Sequence, residues 1–268
     1  MDTGNRREQA EPSRHEAEAG IASRLIHVVL PAYNEAESVG AVLKSLEKTG
    51  RESGIHLHVV VVDDGSEDCT AQVVSGHREW LDITLIRHPA NLGLGAALRS
   101  GLLAAMDRAA ADDIVVTMDA DDTHTPAAIE TMVARIDMGF DVLIASRYQT
   151  GAKVVGVPIG RRLLSYAASL LFRVVFPIEG VRDFTCGYRA YRASALRAAL
   201  TLYRQEFVNQ EGFQCMVDIL LKLSRMNLRF GEVPIVLRYD RKSGKSKMKI
   251  LSTIHKTLTL LFKRRLGV

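Results

Sequence analysis

The sequence predicts an α/β fold built on a doubly wound, mostly parallel sheet, and three observations carry that expectation. Residues 25–31 (LIHVVLP) and 57–63 (LHVVVVD) are short, β-branched, continuously apolar runs, the composition of strands buried on both faces. Between them, residues 36–48 set Val39, Val42, Leu43 and Leu46 at helical spacing, which makes a βαβ unit. The alternation then recurs: a helix from about Thr70, a strand at 83–87, a helix at 95–110, a strand at 114–118, a helix after Pro126 and a strand at 141–145. In such a sheet, ligands bind beyond the carboxyl ends of the strands.

After Arg147 the rhythm changes. Residues 161–176 read as an apolar helix with basic flanks, 183–191 as a loop entering a strand, 210–226 as a helix and 230–237 as a strand. Residues 238–249 form a basic loop, and 250–266 an amphipathic helix ending Lys263-Arg264-Arg265. The expected division is a disordered lead-in at 1–22, a catalytic domain at 23–240, and at 241–268 a basic acceptor loop with a membrane-interface helix.

Composition narrows the classes. At 268 residues, with 47% hydrophobic and 25% charged, neither wholesale disorder nor a polytopic membrane protein fits. Arg238 to the end carries ten Lys or Arg against the single acid Asp240, so that stretch should seek anionic surfaces. The longest apolar run, 163–172, falls short of the roughly 20 residues a spanning helix needs, and residues 1–20 contain no apolar stretch. Widely spaced Cys69, Cys186 and Cys215 suggest reduced thiols. Together these predict a cytoplasmic protein, peripheral on the cytoplasmic face of a membrane.

The strand ends carry polar residues that the fold does not require. The first ends Pro31-Ala32-Tyr33-Asn34-Glu35, the second Asp63-Asp64-Gly65-Ser66, the fourth Asp119-Ala120-Asp121-Asp122 and the last Ser146-Arg147. Asp119 and Asp121 leave an apolar strand with one small residue between them, so both carboxylates can approach a common point. Hard oxygen ligands suit Mg²⁺ or Mn²⁺, which complete their shells with substrate phosphates. A diphosphate-bearing ligand is thereby expected.

These segments resemble glycosyltransferase family 2 enzymes of GT-A fold, and among them the dolichyl-phosphate and polyprenyl-phosphate mannose synthases. The likeness runs from about residue 25 to 249. It implies donor contacts at Pro31, Tyr33, Asn34 and Glu35, at Val62 with Asp64, and at Asp119 and Ala120. Asp119-Ala120-Asp121 is similar to the DxD metal motif. The family commonly places Leu-Gln beyond it, where this chain has Asp122-Thr123-His124-Thr125-Pro126, so the third metal ligand falls on Thr123. Arg147, Arg161, Ser165 and Arg241 fall where the family binds acceptor phosphate, with Asp121, Arg147 and Arg241 the catalytic set. The implied reaction is metal-dependent transfer of a hexose, mannose first and glucose second, from a nucleotide sugar such as GDP-mannose to a polyprenyl or dolichyl phosphate.

Guanidinium forks grip phosphate oxygens bidentately, and a phosphate nucleophile is already ionised near neutral pH, so no general base is required. Direct displacement with inversion follows. The alternative is transfer to a soluble hydroxyl on a polysaccharide precursor or secondary metabolite, which would need Asp183, Glu211 or Asp218 as base. Nucleic acid is not an expected partner, because the acidic pair would repel it. Gly93-Leu94-Gly95 lacks the remaining glycine of a dinucleotide fingerprint and follows the wrong strand.

Overall fold

The computed structural model describes residues 24–242, the side chain of Arg161 excepted. The lead-in expected at 1–22, and all but the first two residues of the loop and interface helix expected at 241–268, lie outside the described residues. Strands β1 (Leu25–Ala32), β2 (His56–Asp63), β3 (Asp82–Arg87), β4 (Ile114–Thr117) and β5 (Val142–Ser146) belong to one seven-stranded sheet. With β7 (Arg189–Arg192) and β8 (Phe230–Pro234), its order is β3-β2-β1-β4-β7-β5-β8. A separate parallel pair joins β6 (Lys153–Val155) to β9 (Val236–Arg238).

The continuous apolar runs are explained by two covered faces. Val28, Leu30, Val59 and Val61 face one core, packed with Val39, Leu43 and Leu46 of α1 (Val39–Ser53) and with Ile129 and Met132 of α4 (Ala128–Asp137). The intervening Val29, Val60 and Val62 face the other. There they meet Leu98 and Leu102 of α3 (Leu94–Arg108), Leu196 of α6 (Ala193–Tyr203) and Ile219 of α7 (Gln214–Leu223). α3 lies so close to the sheet that a Cβ on Gly101 would stand 2.4 Å from Val29 Cγ1. The short α2 (Thr70–Ser75) follows β2, and α5 (Ile159–Val175) lies beyond β6.

Three features depart from the sequence reading. β7 runs antiparallel to both β4 and β5, so the residues just before it reach the same sheet edge as the carboxyl ends of the other strands. The run at 230–237 is not one strand: it breaks after Pro234, and β9 leaves the sheet to pair with β6 while Leu237 bridges His124. α6 was not expected, because its buried positions Ala193, Ala195, Leu196 and Ala199 are mostly small and give little hydrophobic contrast.

A buried histidine pair lies at the opposite end of the sheet from these strand tips. His27 Nδ1 lies 2.9 Å from His58 Nδ1, His27 Nε2 lies 3.3 Å from Asp113 Oδ2, and His58 Nε2 lies 2.9 Å from Thr84 Oγ1. Burial lowers both imidazoles, and takes His58 down to about 4 from the usual 6.5. Between those values the unfolded chain binds a proton that the folded one refuses, so stability is full above 6.5 and falls as pH drops toward 4. The expected slope from His58 is up to ~1.4 kcal/mol per pH unit. Melting temperatures measured from pH 7.5 to 4.5 should show it, and His58→Gln should flatten it.

Candidate active site

β1 and β4 are neighbours, with β2 and β3 on one side and the rest of the sheet on the other. The gap beyond their carboxyl ends is therefore the switch point at which α/β sheets bind ligands. Pro31 from β1, Met118 and Asp119 after β4, Thr185 and Gly187 before β7, and Phe213 before α7 line a recess there. Two non-glycine residues at this edge adopt left-handed backbone, Asn34 at φ 50° and Asp122 at φ 57°, conformations that cost free energy and that Asn and Asp tolerate best.

The loops after β1 and β2 are knitted together. The Asn34 amide donates to Ser66 Oγ at 2.9 Å, and Asn34 Oδ1 accepts from the Glu67 amide at 2.9 Å. The Glu35 amide donates to Thr70 Oγ1 at 2.9 Å, and its carboxylate accepts from Ser38 Oγ at 2.7 Å. Asp64 is buried; it accepts from the Leu92 and Gly93 amides at 3.0 and 2.8 Å, with His88 Nδ1 2.7 Å away. It thus anchors the segment that enters α3. Val62 points into the core beside Gly101, so its part of the cleft edge is main chain. Gly93 and Gly95 serve packing: a Cβ on Gly95 would meet Gln210 O at 1.8 Å.

The aspartate pair is asymmetric. Asp121 is 8% exposed; its Oδ1 accepts from Thr123 Oγ1 at 2.6 Å and from the Thr123 amide at 3.2 Å, while its Oδ2 accepts from Lys242 Nζ. Burial alone would raise its pKa, but the Lys242 ammonium and these hydrogen bonds overcome that and hold it below the usual carboxylate range. Asp119, with a side chain 41% exposed, is shifted the other way. Enclosure in the cleft raises it, and the Asp121 and Glu35 carboxylates add to the effect against His124 and Lys242. An under-compensated carboxylate facing a recess, one residue from a second and beside a hydroxyl, fits a hard divalent cation. Among the described residues no group of three His, Cys, Asp or Glu side chains is assembled for a metal, so a ligand's phosphates would have to complete the shell. Thr123 lies at this point, its hydroxyl bonded to Asp121. His124 is structural: it stacks on Tyr188 at 5.2 Å, and its Nδ1 accepts from the Asp119 amide at 3.3 Å.

Arg147 follows β5 and is fixed by Asp183. Its Nε and Nη2 donate to Asp183 Oδ2 and Oδ1 at 2.8 and 2.6 Å, its amide donates to Oδ2 at 3.1 Å, and Nη2 also reaches Thr185 Oγ1 at 2.6 Å. Burial would raise Asp183, but the Arg147 charge holds it below its ordinary value. Buried Glu232 fixes the turn in its place by accepting from the Arg182 and Asp183 amides, each at 2.6 Å. Ser165 comes to the same neighbourhood through Tyr148, whose hydroxyl lies 2.8 Å from Ser165 Oγ and whose ring lies 5.6 Å from the Arg147 guanidinium carbon. Arg161 sits one helical turn before Ser165 in α5, and its side chain lies outside the described residues. Arg241 is half-exposed, 4.0 Å from Asp122.

Four contributors were not singled out from the sequence as site residues: Tyr148, Asp183 as the partner of Arg147, Gly187 and Lys242. A Cβ on Gly187 would stand 3.3 Å from Asp119 Oδ1, so the loop before β7 closes directly on the carboxylate pair. Adjacency to Arg147 and Arg241 was the available signal for Tyr148 and Lys242. For the other two the signal was the likeness of residues 183–189 to the family's acceptor-side strand entry, which does not tell that β7 is antiparallel or that Asp183 pairs with Arg147.

Residues 27–200 match the family model described as Glycosyl transferase family 2. The chain is 33% identical over 228 residues to undecaprenyl-phosphate mannosyltransferase of Micrococcus luteus, covering 82% of this chain and 86% of that one. It is 30% identical to polyprenol monophosphomannose synthase of Mycolicibacterium smegmatis over 82% of this chain and 80% of that one. It is also 30% identical to dolichol-phosphate mannosyltransferase of Pyrococcus furiosus, over 84% of this chain and 59% of that longer one. Among solved structures, glucosyl-3-phosphoglycerate synthase from Mycobacterium tuberculosis, in complex with Mn²⁺, UDP-glucose and phosphoglyceric acid, is similar at TM-score 0.66 and 20% identity. That likeness covers 98% of this chain and 86% of that one; a complex of the same enzyme with Mg²⁺ and UDP gives 0.64. Such identity speaks for the fold alone. A family match that runs from β1 into α6, joined to relatives alike over 82% of the chain, makes this protein a member of glycosyltransferase family 2, an enzyme of GT-A fold.

Proposed function

We propose that the enzyme transfers a hexose, mannose first and glucose second, from a nucleoside-diphosphate sugar to a polyprenyl phosphate, with inversion at the anomeric carbon. The observation that carries this reading is the state of the carboxylates that could serve as base. A hydroxyl acceptor needs a base, yet Asp183 has no exposure and spends both oxygens on Arg147, while buried Asp218 is paired with Lys222 at 2.6 Å. Of the three candidate bases only Glu211 is exposed. A phosphate acceptor needs none, and a guanidinium oriented by a side-on salt bridge, its Nη2 also bonded to Thr185, keeps Nη1 for a second anion. The names of the relatives, which act on undecaprenyl phosphate, polyprenol or dolichol phosphate, support the same acceptor class.

In this scheme Arg147 holds the acceptor phosphate in line with the anomeric carbon, and Ser165, Arg161 and Arg241 are assigned to the same phosphate. Pro31, Tyr33, Asn34, Glu35 and the edge at Val62, Asp64 and Ala120 bound the donor. Asp119 and Asp121, with Thr123 beside them, would hold Mg²⁺ or Mn²⁺, which when bound supplies Lewis-acid stabilisation to the departing diphosphate.

Among the described residues no helix is long and apolar enough to cross a membrane. α5 nevertheless leaves Ile159, Leu163 and Val174 at 74%, 65% and 72% exposure, with Arg162 and Arg173 near its two ends, the pattern of a helix lying in a lipid interface. A panel of nucleotide sugars with Mn²⁺ and a short polyprenyl phosphate, read by mass spectrometry, tests donor and acceptor together. The expected product is a β-linked hexosyl phosphate from an α-linked donor; turnover with soluble hydroxyl acceptors alone would sink the proposal. Sedimentation with anionic vesicles tests the surface, with binding expected.

A further inference from the structure

The cation beside Asp121 belongs to the protein itself. Lys242 Nζ donates to Asp121 Oδ2 and lies 5.8 Å from the Tyr239 ring centroid, its side chain only 18% exposed. This placement is built by main-chain pairing. The Arg238 amide donates to Thr123 O at 2.8 Å, Thr125 Oγ1 donates to Val236 O at 3.3 Å, and Leu237 bridges His124. Residues 236–242 therefore run alongside 121–125, and Arg241 approaches Asp122 one residue before Lys242 reaches Asp121. A divalent ion shared by Asp119 and Asp121 would need the oxygen that the ammonium now holds.

We propose that Lys242 is a resident counter-cation for the aspartate pair, and that it and the divalent metal are alternative occupants of one position. This rests on the metal-site reading above and adds to it a control on loading. Before donor arrives, the ammonium offsets the repulsion between two neighbouring carboxylates and competes with free metal. When a nucleoside diphosphate brings additional negative charge, the balance moves toward the doubly charged ion, and Lys242 leaves Asp121. Metal and donor then bind cooperatively without any element larger than one side chain having to move, because each offsets the charge of the other.

The test is Mn²⁺ titration without nucleotide, read by electron paramagnetic resonance of free Mn²⁺, on the wild-type protein, Lys242→Gln and Lys242→Arg. Removing the competing charge is expected to tighten Mn²⁺ binding by about tenfold, while the arginine variant, which keeps the charge, stays within about twofold of wild type. Equal or weaker binding by Lys242→Gln overturns the inference and leaves the metal site standing. No binding by any of the three overturns both. A second readout needs no variant: acylation of wild-type lysines, mapped by mass spectrometry, should mark Lys242 faster once Mn²⁺ and a nucleoside diphosphate are present. Unchanged protection there overturns the inference as well.

Discussion

Asp121→Asn is expected to lower turnover by about a thousandfold, some ~4 kcal/mol of transition-state stabilisation, while leaving the fold in place. The asparagine amide oxygen can still accept the two hydrogen bonds from Thr123, so the turn after β4 keeps its shape; what is lost is the negative charge that pairs with Lys242 at rest and would hold a cation against a diphosphate. Asp119→Asn should show a sharper separation of stability from function. Enclosure and two neighbouring carboxylates hold Asp119 above its usual range, so folding spends free energy to keep it ionised, and the neutral amide should match or exceed wild-type stability without metal. Its activity should nonetheless collapse to a similar extent. Kinetics at saturating Mn²⁺ and melting curves in EDTA measure the two quantities. Retention of more than about a tenth of the activity by either variant would remove the metal pair from the mechanism.

How far the sequence could carry this picture depended on whether the determining contacts were local. The runs at 25–31 and 57–63 announce themselves because, apart from the partly buried Leu25 and Pro31, every side chain in them is buried, alternately on the two faces. The carboxylate pair was legible because two residues leaving one strand share a location whatever the rest of the chain does. Arg147 was equally visible beside Ser146, but its partner was not. Asp183 is 36 positions away and precedes an antiparallel strand of only four residues, RAYR. Arg189 in that strand is fully buried, donating to the carbonyls of Cys186, Met216 and Phe184 at 2.9, 2.7 and 2.8 Å. Three carbonyl acceptors replace the water that the guanidinium would otherwise need. No periodicity encodes that exchange. Lys222 repeats the lesson, since it is buried on α7 against Asp218 and the carbonyl of Phe207.

The Arg147–Asp183 pair yields the second large effect, and the two single substitutions should differ in size. Asp183 has no solvent contact, whereas the Arg147 side chain is 24% exposed. Arg147→Ala strands an ionised carboxylate in the interior and is expected to cost about 3–5 kcal/mol of stability. Asp183→Asn leaves an arginine that can turn toward water and keeps one acceptor oxygen, so its stability cost should be smaller by at least ~1 kcal/mol. Activity should order differently. With Asp183→Asn the guanidinium is present but no longer fixed, which should raise the KM for polyprenyl phosphate and lower kcat together, whereas Arg147→Ala should abolish use of the phosphate acceptor. Replacing both residues by neutral ones, Arg147→Met with Asp183→Asn, should recover most of the stability lost by Arg147→Ala, because no buried charge is left alone and the asparagine oxygen can still accept from the loop amides of Thr185 and Cys186. It should recover none of the activity, because the phosphate grip is gone. Urea denaturation of the three variants, set beside acceptor-dependent kinetics, separates these outcomes. A double variant as unstable as Arg147→Ala would mean that the pair holds the β5 and β7 loops by its shape and not by its charge, and the assignment of Arg147 to an anionic acceptor would lose its physical basis.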